Sequence, residues 1–101
     1  MKKVNILLIC AGGMSTSILM KKMAKYAEEN GIELKIEAVG VNAFSEVAAN
    51  YDVMLLGPQI SYQKKNVAEK SGKPTDVIAP QDYGIGNAAK IFKQVEKLLE
   101  G

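Results

Sequence analysis

The chain has no histidine, no arginine, no tryptophan and a single cysteine, Cys10. Without His there is no Ser-His-Asp triad, no imidazole general base and no His-ligated zinc. With one Cys there is no intrachain disulfide, no Cys-x-x-Cys redox pair and no thiolate metal cluster. Without Arg there is no guanidinium fork to clamp a phosphate. Long apolar runs are missing too: the longest, Ile6-Leu7-Leu8-Ile9-Cys10-Ala11, falls far short of the roughly 20 residues a membrane span needs, so no direct membrane insertion is expected. Met1-Lys2-Lys3 ahead of that run superficially resembles a leader, but Gly12-Gly13 interrupts it and no small-residue cleavage site follows. All 13 cations are Lys, against 11 carboxylates. A net charge of +2, scattered along the chain, does not point to nucleic acid. The chemistry that remains must come from the thiol, carboxylates, Lys, hydroxyls or backbone amides, with no metal and no cofactor expected.

What is present reads as one globular domain over residues 1–101, 48% apolar and 24% charged. Short apolar runs alternate with longer helical patterns four times. Residues 4–9 form an apolar run broken only by Asn5, as expected of a strand buried on both faces. Leu19, Met23, Tyr26 and Ala27 follow at helical spacing, with Met20 and Ala24 beside them and Asn30-Gly31 as the stop. Residues 33–39 alternate polar and apolar, the pattern of a strand covered mainly on one face. Asn42 is placed to cap a short helix over residues 43–49. Residues 52–56 are a third strand closed by Gly57-Pro58, residues 60–71 a helix with Gly72 just past its end, and residues 77–79 a fourth strand ending at Pro80. Residues 80–86 are a connection. The last helix starts near Asn87, with Ala88, Ile91, Phe92, Val95, Leu98 and Leu99 on one stripe.

This alternation predicts an α/β fold, a single doubly wound, four-stranded parallel sheet with helices on both faces. Right-handed crossovers favour the strand order 2-1-3-4. In that order the chain reverses direction beside the first strand, and ligands bind outside the C-terminal strand ends there. Cys10 begins the loop at that point.

Between a strand end and a helix start, Gly12 and Gly13 allow successive amides to turn inward as an anion-binding nest. The first helical turn adds unpaired N–H groups and the positive end of its dipole. Ser15, Thr16 and Ser17 add hydroxyls. Together they make a cradle for a tetrahedral anion with the Cys10 sulfur at its mouth, and the same field would draw the thiol below its free pKa of about 8.5. Each piece also has an ordinary role: a lone Cys is often a small buried hydrophobe, Gly-Gly a tight turn, Ser-Thr-Ser a cap. Their coincidence at the switch point favours function.

Three chemistries fit such a loop. A phosphatase of the Cys-x5-Arg-Ser kind would need Arg where Thr16 stands. Thiol redox chemistry would need a resolving Cys or a partner. A covalent phosphoryl carrier loses nothing from the missing Arg, His and second Cys. A thiol-bearing module that only binds partners is the reading from a different class. A Walker loop is excluded, because no Gly-Lys-Ser/Thr follows the glycines. Elsewhere, Gln59 and Ser61 either help bind phosphate or a partner or simply start the next helix. Asp82 invites comparison with a phosphatase general acid, but reads as a solvated turn residue. Lys90, Lys93 and Lys97 read as the wet face of the last helix, and Met14, Met20 and Met23 mainly as structural residues.

Cys10-Ala11-Gly12-Gly13-Met14-Ser15-Thr16-Ser17 after a hydrophobic first strand resembles the phosphorylation loop of enzyme IIB. The class is the lactose/cellobiose (chitobiose) branch of the bacterial phosphoenolpyruvate-dependent sugar phosphotransferase system (PTS). Leu55-Leu56-Gly57-Pro58-Gln59-Ile60 and Tyr83-Gly84 match as well, and the likeness covers essentially the whole chain. The resemblance implies a sheet like that of the low-molecular-weight tyrosine phosphatases. It implies a phosphocysteine at Cys10 and phosphate contacts from Ala11, Gly12, Gly13, Met14, Ser15, Thr16 and Ser17. Its implied donor is the phosphohistidine of a IIA protein. The acceptor is a sugar, a β-linked disaccharide such as cellobiose, chitobiose or lactose, held by the membrane permease IIC. A cytoplasmic monomer, transiently at the inner face of the membrane, is expected.

Overall fold

The computed structural model describes residues 2–10 and 16–100. Four strands, β1 (Lys3–Cys10), β2 (Glu33–Gly40), β3 (Val53–Leu56) and β4 (Thr75–Val77), form one sheet in the order β2-β1-β3-β4. Every neighbouring pair is parallel, so the order predicted from the crossover rule is the one observed. β1 is central and pairs from Lys3↔Glu33 to Cys10↔Gly40 on one side and from Ile6↔Val53 to Ile9↔Leu56 on the other. Its apolar run is therefore covered on both faces, as a parallel strand requires. β2 is an edge strand in which exposed Glu33, Lys35 and Glu37 alternate with half-buried Leu34, Ile36 and Ala38.

Helices α1 (Thr16–Glu29) and α5 (Ala88–Glu100) cover one face of the sheet. There Leu19, Met23, Ala27, Ile91, Phe92 and Val95 bury against Val4, Ile6, Leu8, Val53 and Leu55. Asn30-Gly31 ends α1 as its sequence predicts, with Gly31 at φ +67°. The other face is covered by shorter pieces: α2 (Phe44–Val47), a 3₁₀ turn (Ala48–Asn50), a 3₁₀ segment (Pro58–Gln63) and α3 (Lys64–Ser71). Phe44, Ala48, Tyr51, Ile60 and Val67 pack there against Leu7, Ile9, Met54 and Leu56. Gly72 caps α3 in the left-handed region at φ +66°, its N–H donating to the Ala68 carbonyl at 3.0 Å.

Several local expectations are corrected. The fourth strand is Thr75–Val77, two residues earlier than its apolar pattern suggested, because pairing starts where the Pro74 carbonyl accepts the Met54 N–H at 2.9 Å. Buried Thr75 fits because its hydroxyl donates to the Lys73 carbonyl. The helix expected over residues 60–71 is broken at Ile60, whose φ of −121° and ψ of 30° turn its side chain into the core. Asn42 is not a cap: the Ala43 N–H bonds to the Gly40 carbonyl, which leaves Ala43 at the cap position of α2. The connection at residues 80–86 contains a further helix, α4 (Pro80–Ile85), closed by Gly86 at φ +66°. Asn87 then caps α5, its Oδ1 accepting the Lys90 N–H at 3.3 Å.

Candidate active site at the sheet switch point

Cys10 is the last residue of β1 and lies where the strand order reverses, with β2 on one side and β3 on the other. This C-terminal edge is where open parallel sheets bind ligands. The thiol is 5% exposed and donates to the Val39 carbonyl with Sγ···O of 3.6 Å. It therefore leans toward the end of β2. Opposite it stands Gly40, where a Cβ would still lie 4.0 Å from the Cys10 carbonyl oxygen.

The chain re-enters regular structure at Thr16, the first residue of α1. The first turn and positive dipole end of that 14-residue helix thus lie at the sheet edge that carries the thiol. No acidic residue occupies that first turn to offset it. Ser17 is exposed at its start. Of the predicted phosphate-binding residues, Ala11, Gly12, Gly13, Met14 and Ser15, together with the Thr16 side chain, lie outside the described residues. The structure brings together the two ends of that loop, Cys10 and the start of α1.

On the β3 side, the Gly57 N–H donates to the Ile9 carbonyl at 2.9 Å, extending the β1–β3 ladder one residue beyond Leu56. Gly57 is buried. A Cβ on it would stand 3.0 Å from Gln59 Oε1 and 3.6 Å from the Tyr83 ring. Glycine there lets the Tyr83 ring of α4 lie against the end of β3. Gln59 and Ser61 both fall in the 3₁₀ segment that leaves this edge, so they start the helical stretch and also lie near the site. Asp82 braces the α4–α5 corner: its carbonyl accepts the Asn87 N–H at 2.9 Å, and Oδ1 lies 3.5 Å from Asn87 Nδ2. Lys90, Lys93 and Lys97 are exposed, Met23 is core and Met20 packs beside it.

Two features of the site were not assigned from sequence. The thiol's partner is a backbone carbonyl, which no side-chain pattern can reveal. The wall at α4 lacks an apolar stripe, and in the sequence only the Tyr83-Gly84 pair marks it.

Known proteins resemble this chain over nearly its whole length. The family model for the PTS lactose/cellobiose-specific IIB subunit matches residues 5–94. A PTS galactose-specific EIIB component of Lactococcus lactis subsp. cremoris is 42% identical, over 93% of this chain and 94% of that relative. A PTS cellobiose-specific EIIB component of Lactococcus lactis subsp. lactis is 41% identical over the same shares. The solution structure of a cellobiose-specific phosphotransferase IIB component from Borrelia burgdorferi superposes with a TM-score of 0.77 at 37% identity, covering 95% of this chain and 91% of that one. IIB components are phosphotransferases that act with IIA and IIC components in sugar uptake. The resemblance read from the Cys10 loop is therefore borne out, and the chain belongs to the lactose/cellobiose-specific IIB family of the PTS.

Proposed function

We propose that Cys10 is the phosphoryl carrier of this IIB component. The Cys10 sulfur, as thiolate, attacks phosphorus on a IIA phosphohistidine in line. The S–P bond forms as the P–N bond breaks, and the bonding pair returns to the imidazole nitrogen. Ala11, Gly12, Gly13, Met14, Ser15, Thr16 and Ser17 hold the phosphoryl oxygens, so catalysis is positioning and electrostatic stabilisation more than acid–base work. The phosphoryl group then passes to a hydroxyl of a β-linked disaccharide such as cellobiose, chitobiose or lactose held by IIC. The protein works as a cytoplasmic monomer that meets the membrane only through IIC, and residues 1–101 form one IIB domain. The observation that carries this reading is the place of the chain's one thiol, at the end of the central strand beside the N-terminus of α1.

The test is to incubate the protein with phosphoenolpyruvate, the general phosphotransfer proteins and a IIA, then locate the phosphoryl group by mass spectrometry. One group on Cys10 is expected, and Cys10→Ser should abolish both labelling and sugar phosphorylation while IIA binding persists. Full labelling of Cys10→Ser would sink the reading. Free phosphate released from an aryl phosphate by the isolated protein would favour a hydrolase instead.

A further inference from the structure

Four large apolar side chains stand exposed among the described residues: Ile18, Tyr62, Ile85 and Leu99. Ile18, in the first turn of α1, and Ile85, the last residue of α4, belong to two helices that meet where Lys22 of α1 bonds the Ile85 carbonyl, and Tyr62 lies in the segment that leaves β3. Ile18 and Ile85 are each 63% exposed. Between α1 and α4 runs a cleft of about 150 Å³ lined by Ile18, Leu19, Tyr83, Gly84 and Gly86. Apolar groups concentrated on one rim mark a contact surface more than singly scattered ones do.

Apolar burial supplies only part of what keeps that rim in shape, because no residue of α4 is fully buried and Tyr83 is the α4 residue that packs against the core. Lys22, nearly two turns into α1, donates from Nζ to the Ile85 carbonyl at 2.7 Å. That carbonyl belongs to the last turn of α4, where acceptors lack helical partners and a cation opposes the dipole. The Lys22 stem also runs where a side chain at position 86 would be: a Cβ on Gly86 would lie 2.5 Å from Lys22 Cδ. Two independent features, a hydrogen bond and a space left by glycine, thus dock the Lys22 side chain onto the end of α4.

We propose that Lys22 is a positioning residue that pins α4 to α1 and so holds Ile18, Tyr83 and Ile85 as a preformed seat for the phosphoryl-donor protein IIA. The proposal rests on Cys10 being the carrier, because a sulfur only 5% exposed can be reached only by a partner seated closely on this rim. The segments meeting here, residues 16–22, 40–47, 57–65 and 78–87, carry Lys21, Lys22, Lys64 and Lys65 against Glu46 and Asp82, with Lys64 paired to Asp76 at 3.3 Å, which leaves a small positive excess. That excess of positive charge complements a donor bearing an anionic phosphoryl group. Pinning the rim in advance lowers the ordering cost of docking. Lys22 therefore acts on the affinity for the donor and not on the transfer step.

The experiment measures the rate of Cys10 phosphorylation against the concentration of phosphorylated IIA. Lys22→Met keeps the stem and removes the donor, and should raise the KM for IIA by roughly 3–10-fold with kcat held within about twofold. Lys22→Arg should recover most of that loss. Ile85→Ser should raise KM as well, and its effect should combine with Lys22→Met less than multiplicatively, because both act through one rim. A folded Lys22→Met with unchanged KM, or one losing kcat alone, overturns the proposal. So does a loss confined to transfer from Cys10 to sugar on IIC. If wild-type protein takes up no phosphoryl group on Cys10 at saturating IIA, the carrier reading itself fails, an outcome read separately by mass.

Discussion

The two faces of the sheet are covered by different kinds of structure. On one, α1 and α5 lay continuous apolar stripes over Val4, Ile6, Leu8, Val53 and Leu55, and the Tyr26 and Phe92 rings stack at 5.1 Å. On the other, short helices and 3₁₀ pieces contribute one or two apolar residues each, and side-chain polar bonds hold strands and turns together. The Tyr51 hydroxyl donates to the Glu37 carboxylate across to β2. At the β4 edge, Asp76 receives Gln94 of α5 at 2.9 Å and Lys64 of α3 at 3.3 Å, joining the two faces. Long helices supply stability that depends on shape, and short ones rely on bonds that depend on charge. The first face should respond to cavities and the second to pH.

The largest effect expected is from Phe92→Ala. Phe92 is 1% exposed within the α1–α5 core, and truncating such a ring costs about 3–5 kcal/mol, much of an ordinary domain's margin. Phe44→Ala opens the other face, where one-turn α2 can settle inward, so its cost should be smaller by about 1 kcal/mol. Urea unfolding of both variants makes the comparison. Equal losses would break the distinction between a face of fixed shape and one that can collapse.

The same distinction explains which parts were legible in the sequence. The face built from long helices could be read because Leu19, Met23 and Ala27, or Ile91, Phe92 and Val95, repeat at helical period, and the run through Ile9 identifies a doubly buried strand. The strand order followed from the alternation of strands and helices in a doubly wound sheet with right-handed crossovers. The thiol and the first turn of α1 were legible because Cys10 and Ser17 flank a Gly- and hydroxyl-rich stretch of sequence between those two strong signals. The other face was harder. Ile60 belongs to the apolar pattern of a helix but adopts a non-helical backbone to bury itself. Val77-Ile78-Ala79 carries the apolar signal, while pairing depends on carbonyls from Pro74 onward. α4 carries Gly84 within it and buries nothing fully, so it leaves no periodic mark. Its position is set by tertiary contacts, through Lys22 and through Tyr83 over Gly57.

Asp76 offers the next test. Burial pushes its carboxyl up, but hydrogen bonds from Gln94, the Val77 N–H and Lys64, with the Lys64 charge, outweigh that and hold it below the ordinary range. A carboxyl lowered by folding stabilises the protein above its unfolded-state value of about 4, and that contribution is lost as pH falls through the folded-state value. Hydrogen exchange under acid should therefore show β4 and α3 opening while amides of α1 and α5 remain protected. Asp76→Asn should cost about 1–2 kcal/mol at neutral pH and remove most of that local acid sensitivity. Uniform loss of protection across both faces would show that the clasp is not what separates them.

Tyr51 gives the smallest effect and the opposite sign with pH. Its ring is 3% exposed, with Lys35 Nζ 5.0 Å from the centroid. Burial, then the hydrogen bond to Glu37 and its negative charge, push the phenol up to about 12. A group raised on folding stabilises fully below its unfolded value of about 10, and the contribution disappears as pH climbs through the folded value. Stability should therefore decline between pH values of about 10 and 12 by a step that Tyr51→Phe lacks. At neutral pH that variant should lose about 1 kcal/mol, the net worth of one hydrogen bond. Absorbance titration of the protein against Tyr51→Phe follows the phenol directly. If Tyr51→Phe keeps the same alkaline step, the bond to Glu37 is not what ties the short-helix face to β2, and its apolar contacts alone must hold it.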